Sequence, residues 1–339
     1  MSEIKPFSGV DGRVKLAEAV PLEAPFTLNL FPSNLCNFRC NYCAQSRGGA
    51  VLAQEYQMNG EMMTLDTLDR VIEQSKGFTR PYKLVSFMGH GEPLCNPDLP
   101  EMVQRVKQAG IAERVDIITN ASLLTARTAQ ALVSAGLDVL RVSLQGISTE
   151  SYRRTCGNAI PFEKMLAQLQ YFYQIRGQCK LFVKTMDVTL SGEENQEFYR
   201  IFANCTDRMY IDKVKPVYSG VEYTEQERDL SEDRYGKRHE DRRVCAQPFY
   251  MLSVWPDGDV APCDAIYRAN PLGNVHTGDL VDMWRSSSLL EFWKMQLNCE
   301  RDTHPACSKC CAPNDVQHES DSLDEDRAAI MQKLEEMPQ

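Results

Sequence analysis

Residues 27–43 read TLNLFPSNLCNFRCNYC: a short apolar run, 27–31, followed directly by Cys36, Cys40 and Cys43. The run reads as a strand, and the same kind of run recurs down the chain at 83–88 (KLVSFM), 115–119 (VDIIT), 139–144 (VLRVSL), 181–190 and 208–217. Between the runs the apolar residues switch to a helical period. Segment 65–76 follows Thr64, a residue suited to cap a helix, and 99–108 is stopped by Gly110. Segments 125–134 and 162–175 stop at Gly136 and Gly177, and 194–203 completes the series. Strands alternating with helices imply a mainly parallel sheet with right-handed crossovers. Six such units fit either an open doubly wound sheet or an incomplete barrel. In both, a ligand sits at the C-terminal ends of the strands, where the cysteines stand after the first one.

The remaining chain is organised differently. Of the 22 residues in 222–243, 14 are Asp, Glu, Lys or Arg, which predicts a solvated connector. Beyond it, 249–254 and 260–263 flank Pro256-Asp257-Gly258-Asp259, the pattern of a β-hairpin. Segment 280–297 has a helical period and carries Trp284 and Trp293. An acidic tail from Asp315 ends in a short helix, 327–336. The expected divisions are an N-terminal extension 1–25, a strand–helix domain 26–217, a charged connector 218–244, a small domain 245–314 and a tail 315–339.

The 339 residues are 43% hydrophobic and 25% charged, ample for a folded core. The net charge of −10 disfavours a phosphate-backbone partner, so no nucleic acid is expected. No apolar run reaches membrane-spanning length, and the opening MSEIKPFSGVDGRVK lacks the apolar stretch of a signal peptide, so a cytoplasmic protein without membrane contact is expected. Thirteen cysteines, an odd number, then point to metal or redox chemistry rather than to disulfides.

Cys36, Cys40 and Cys43 are spaced to gather on one loop. Thiolates suit iron–sulfur clusters or zinc. Three cannot close a four-iron cluster, which leaves one iron open, and no fourth ligand for zinc lies beside the loop. The C-x3-C-x2-C spacing, with Tyr42 before the last cysteine, resembles the signature of the radical S-adenosylmethionine (SAM) enzymes. The resemblance extends to one segment per strand end. Gly89-His90-Gly91-Glu92-Pro93 is similar to the family's GGEP, with His90 in place of a small residue. Thr119-Asn120-Ala-Ser is similar to TNG, and Ser143-Leu-Gln145-Gly146 to SLDG. It covers about residues 26–217 and implies a partial (β/α)6 TIM-type barrel. It implies a 4Fe–4S cluster on Cys36, Cys40 and Cys43 whose open iron chelates SAM, with one-electron cleavage of SAM to a 5′-deoxyadenosyl radical. It makes Tyr42, Gly89, Gly91, Glu92, Pro93, Asn120 and Ser143 candidate SAM contacts: Glu92 or nearby carbonyls for the ammonium, Asn120 for the ribose, Ser143 for carboxylate or ribose. A flavodoxin- or ferredoxin-type electron donor is implied as partner.

Cys245 and Cys263 flank the hairpin, and Cys307-Ser-Lys-Cys310 forms a C-x2-C turn. By spacing alone, four thiolates from two such segments close either a zinc site or a second cluster. Beside the first motif, the segment resembles the SPASM/twitch extensions of radical SAM enzymes. That resemblance implies one auxiliary 4Fe–4S cluster held by Cys245, Cys263, Cys307 and Cys310, with Cys311 a spare or a substitute ligand. A fully ligated cluster passes electrons rather than binding substrate. The expected function is therefore an oxidoreductase dehydrogenating a sugar- or cyclitol-like alcohol. The alternatives are an epimerase of a sugar or peptide centre, a peptide maturase, and a non-catalytic zinc-stabilised α/β binding protein. Cys156 is the candidate hydrogen donor for epimerisation, and Lys184 with Asp187 are candidates for a pair in the lumen or for substrate contacts.

Overall fold

The computed structural model describes residues 2–7, 13–316 and 318–336. Ten strands form one sheet: β1 (Glu3–Ile4), β2 (Thr27–Leu30), β3 (Leu84–Phe87), β4 (Val115–Thr119), β5 (Val139–Leu144), β6 (Lys180–Met186), β7 (Arg208–Asp212), β8 (Met251–Val254), β9 (Asp259–Ala261) and β10 (Gly273–Asn274). Their order is β1-β7-β6-β5-β4-β3-β2-β8-β9-β10. Strands β2 to β7 run parallel in sequence order, the partial (β/α)6 barrel that the sequence implies.

The helices between the strands form for local reasons. Thr64 and Thr125 each accept a backbone N–H two residues into the helix that follows, and Ser148 closes a capping box at Thr149–Cys156. Gly110 ends Leu99–Ala109 in the left-handed conformation that its missing Cβ permits. The apolar stripes of these helices, among them Leu68, Val103, Leu132 and Phe172, pack on Leu30, Phe87, Ile117, Leu140 and Val183 of the strands in one continuous core. The alternate strand positions carry Asn29, Ser86, Asp116, Arg141, Lys184, Asp212 and Ser253 among apolar residues such as Ile118, Phe182 and Met251.

Three expectations change. The N-terminal segment contributes an edge strand, β1, which pairs in parallel with β7; residues 8–12 of that segment lie outside the described residues. The hairpin forms as expected, but its first strand also pairs in parallel with β2 over Thr27–Leu30, so the small C-terminal domain shares the barrel's sheet. The charged stretch 222–243 is only partly solvated. Asp233 is buried, Arg234 N–H donates to the Asp315 carbonyl, and the two side chains form an ion pair. Fourteen charges in a row of 22 signal solvent only when they lack partners, and here the tail supplies them.

Candidate active site

The cysteine loop after β2 is held by every segment that resembles a family motif. Asn120 Nδ2 donates to Asn37 Oδ1 at 3.0 Å, and Asn37 Nδ2 donates to Ser122 Oγ at 2.8 Å. The Tyr42 hydroxyl donates to Gln145 Oε1. Gln45 Nε2 donates to the His90 carbonyl at 2.7 Å, and Glu92 N–H to the Leu35 carbonyl at 2.7 Å. Asn41 N–H donates to the Thr155 carbonyl at 2.9 Å. Three strand ends and the helix Thr149–Cys156 thus fix one loop, which accounts for the shared position of those strand ends in the sheet.

These contacts refine the candidate SAM residues. Glu92 is buried; its carboxylate accepts from Leu94 N at 2.9 Å, Asn120 N at 2.7 Å and the Thr119 hydroxyl. It is a strut between the ends of β3 and β4 and caps the turn at Pro93–Cys95, rather than an acceptor turned outward. Asn120 likewise gives its amide to the chain. A Cβ on Gly91 would come within 2.2 Å of the Ser33 carbonyl oxygen and 2.6 Å of that of Leu35. The close approach there is to the cysteine loop's own backbone. Ser143 lies on the lumen face of β5, half-buried beside Arg141.

Phe38 N–H points at Cys36 Sγ, 3.4 Å away. Burial pushes the Cys36 thiol up to about 12 and raises Cys43; Cys40 is raised by its contact with Cys156 and by burial. Thiols held this high ionise only against a positively charged centre, so the loop suits metal and not free thiolate chemistry. Cys156 corrects an expectation. It lies in the hydrophobic core behind Cys40, its Sγ 3.0 Å from the Tyr152 carbonyl, because its helix turns it inward.

Cys245, Cys263, Cys307 and Cys310 line one cavity of about 340 Å³. Gln296, fully buried, accepts from Cys245 N–H at 3.2 Å and donates to Cys307 Sγ at 3.6 Å. Ala312 N–H donates to Cys310 Sγ at 3.4 Å. Arg301 Nη2 binds the carbonyls of Cys307 and Cys310 at 2.8 and 2.5 Å, bringing positive charge behind the pair. Burial raises all four thiols, Cys245 to about 12 and Cys310 to about 11. Among the described residues, no three His, Cys, Asp or Glu side chains converge tightly enough to hold a single ion. Four cysteine sulfurs around one cavity are a donor set that an iron–sulfur cluster takes.

Residues 30–204 match the radical SAM superfamily, and residues 245–311 match the iron–sulfur cluster-binding SPASM domain. The chain belongs to the radical SAM superfamily. It is 28% identical over 155 residues to dTDP-4-amino-4,6-dideoxy-D-glucose ammonia-lyase of Streptomyces venezuelae, covering 45% of this chain and 30% of that protein. It is 37% identical over 125 residues to GTP 3′,8-cyclase of Picosynechococcus, covering 36% and 35%. The chain thus spans about a third of the length of these relatives. In fold it resembles SuiB of Streptococcus suis (TM-score 0.62, 17% identity, 90% of this chain and 79% of that one). It also resembles BtrN in complex with AdoMet and 2-DOIA (TM-score 0.53, 18% identity, 84% and 92%).

Its cofactors are accordingly SAM and 4Fe–4S clusters, one binding SAM and one auxiliary, and the zinc-stabilised binding protein is set aside. No helix among the described residues is long and apolar enough to cross a membrane. Inside the barrel of this radical SAM enzyme, Lys184 pairs with Asp212 at 2.7 Å and Arg141 with Asp116 at 3.3 Å. The expected Lys184–Asp187 pair does not form; Asp187 accepts Val188 N–H and Val214 N–H instead. A cavity of about 860 Å³, lined by Arg141, Arg234, Tyr235, Gln247, Asp264 and Asp315 among others, reaches Cys245 of the second cysteine set. Sequence reasoning missed Gln145, Arg234, Gln296 and Arg301. Only Gln145 carried a signal, as the residue standing where the family motif has Asp.

Proposed function

We propose that this chain is a radical SAM oxidoreductase that dehydrogenates a hydroxylated small molecule of sugar or cyclitol type. Cys36, Cys40 and Cys43, in a barrel at 26–217, would hold the SAM-binding cluster. Cys245, Cys263, Cys307 and Cys310, in a domain at 245–314, would hold the auxiliary one. Together the bound groups supply a 5′-deoxyadenosyl radical that removes a hydrogen atom from a substrate C–H bond, and an acceptor for the second electron. A flavodoxin- or ferredoxin-type protein would deliver the first.

The observation that carries the reading is the polar cavity between Arg141 in the lumen and Cys245. Three of its four arginines are already paired, Arg13 with Asp321, Arg141 with Asp116 and Arg234 with Asp315, and Lys184 and Asp212 pair beside them in the lumen. Such a wall offers many donors and acceptors and little net charge, which favours hydroxyl groups over a free carboxylate or phosphate. Gln247 Oε1 on the wall is a buried acceptor without a hydrogen-bond partner, matched to a hydroxyl donor. The sugar in the name of the Streptomyces venezuelae relative supports the same class.

The test is anaerobic turnover with SAM, dithionite and a panel of nucleotide sugars and aminocyclitols. A product short of two hydrogens, formed together with 5′-deoxyadenosine, is expected. A product of unchanged composition that carries solvent deuterium after reaction in D2O would make the enzyme an epimerase and overturn the proposal.

A further inference from the structure

Two carbonyls of the second cysteine set are held by one cation. Arg301 Nη2 donates to the Cys307 and Cys310 carbonyls at 2.8 and 2.5 Å, and Arg301 lines the cavity that these cysteines share with Cys245 and Cys263. Its side chain is 14% exposed. Its ion-pair partner among the described residues is Asp302, 3.3 Å from Nη1 and 83% exposed. Arg301 Nε is buried and meets no acceptor. The sulfurs themselves receive N–H groups, Cys307 from Gln296 at 3.6 Å and Cys310 from Ala312 at 3.4 Å. The first cysteine loop has a counterpart, Arg39, whose Nη1 donates to the Cys36 carbonyl at 2.8 Å, but Arg39 is exposed.

Charge counting decides what the guanidinium does. Arginine stays protonated, and a largely buried cation calls for negative charge close by. Asp302 supplies little of it, because water around an exposed carboxylate screens the attraction. Lys309, between the two cysteines, is exposed and screened in the same way. The remaining negative charge is that of the four sulfurs once they are ligands. A cluster with four thiolate ligands is an anion, and it becomes more negative when it is reduced.

We propose that the charge of Arg301 raises the reduction potential of the auxiliary cluster and so fits it to accept an electron from the substrate radical. The proposal rests on the reading that Cys245, Cys263, Cys307 and Cys310 hold that cluster. A buried cation behind two ligands favours the reduced, more negative state, and hydrogen bonds to the sulfurs act in the same direction. The exposed Arg39 gives the first cysteine set no equal help. In the proposed oxidation, the adenosyl radical takes a hydrogen atom from the carbinol carbon. The carbon radical becomes a carbonyl by giving its hydroxyl proton to solvent and one electron to the oxidised auxiliary cluster. Arg301 touches neither substrate nor sulfur; it is a positioning residue that acts through the backbone of Cys307 and Cys310 and through its charge.

The experiment is an EPR-monitored redox titration of the anaerobically reconstituted protein, with iron and zinc measured in parallel. The signal that added SAM leaves unperturbed reports the auxiliary cluster. Arg301→Gln keeps N–H groups for the carbonyls and removes the charge. It is expected to lower the auxiliary midpoint, with the ratio of reduced to oxidised cluster at the parental midpoint falling about tenfold, or about 59 mV for a one-electron couple. The SAM-perturbed signal is expected to keep its midpoint. Arg301→Lys keeps the charge without the fork and is expected to shift the auxiliary midpoint less. If the Gln variant fails to load its auxiliary iron, Asp302→Lys, at an exposed position, replaces the carboxylate opposing Arg301 and is expected to raise the same midpoint, with that ratio rising about threefold. These shifts, confined to the auxiliary signal, support the proposal. An unchanged auxiliary midpoint in the iron-loaded charge variant, or an equal shift of both signals, overturns it. So does a Lys variant shifted as far as the Gln variant, which would assign the effect to the hold on the carbonyls. A parent protein with about four irons per chain, or with zinc in place of the rest, would instead sink the underlying assignment of the four cysteines.

Discussion

Gly91 shows how a residue that resembles a ligand contact earns its place through packing. Any side chain there collides with the backbone of Ser33 and Leu35, which cannot swing aside as a flexible side chain would. Gly91→Ala is expected to cost about 1–3 kcal/mol and to displace the cysteine loop. Thermal unfolding and iron analysis of the reconstituted variant check this; an unchanged Tm with full iron would show that the loop has slack. His90 makes a second prediction at this scale. Its folded value of about 4 lies below that of an exposed imidazole, because burial among Phe31, Trp255 and Tyr218 and the charge of Arg268 disfavour the cation. Between pH 6.5 and 4 the unfolded chain therefore binds the proton first, and stability falls as pH falls. The loss reaches roughly 3 kcal/mol near pH 4 and is absent above pH 6.5. His90→Phe is expected to flatten this part of the stability profile relative to the parent. A parallel pair of profiles would mean that the ring is not caged from the proton.

At the scale of elements, the helix Ser287–Leu297 buries Leu289, Phe292, Trp293 and Leu297. Gln296, however, faces inward and joins Cys245 N–H to Cys307 Sγ. Gln296→Leu keeps the volume but strands the Cys245 N–H, a cost of about 1–3 kcal/mol. The expected result is loss of auxiliary iron, from about eight toward about four irons per chain, while the SAM-perturbed EPR signal persists. Equal loss of both clusters would show that Gln296 acts on the whole fold.

The same contrast explains what the sequence made legible. The six barrel strands and five of their helices follow from period and caps, which are local. The helices Gly49–Tyr56 and Thr149–Cys156 escaped: the first buries only Leu52 and Tyr56, and the second is rich in polar residues. The two cysteine sets were legible because ligand spacing is local too. Arg234 and Gln296 were not, since each acts across the fold on a partner that spacing cannot name.

At the scale of the molecule, the second cysteine set joins segments that lie far apart in the sequence. Cys245 follows the charged stretch, Cys263 ends the hairpin that extends the barrel's sheet beyond β2, and Cys307 and Cys310 sit on a loop of two short turns, Arg301–Thr303 and Cys307–Lys309. Those turns bury few apolar side chains, so their order depends on the sulfurs and on Arg301 binding the carbonyls of Cys307 and Cys310. The barrel's strands and helices are held by a continuous apolar core, which the C-terminal hairpin and helices share, and do not depend on the sulfurs in this way. Where metal ligation closes a site, its binding energy becomes folding energy for the segments it joins. Stripping the iron with a chelator is therefore expected to expose the segment around residues 299–312 to protease first, while the circular dichroism of the barrel is retained. Limited proteolysis of matched iron-loaded and iron-free samples, with cleavage sites read by mass spectrometry, decides the point. Identical cleavage in the two samples would mean that the C-terminal domain folds without its cluster; barrel cleavage at the same rate as the 299–312 segment would mean that the two parts stand or fall together.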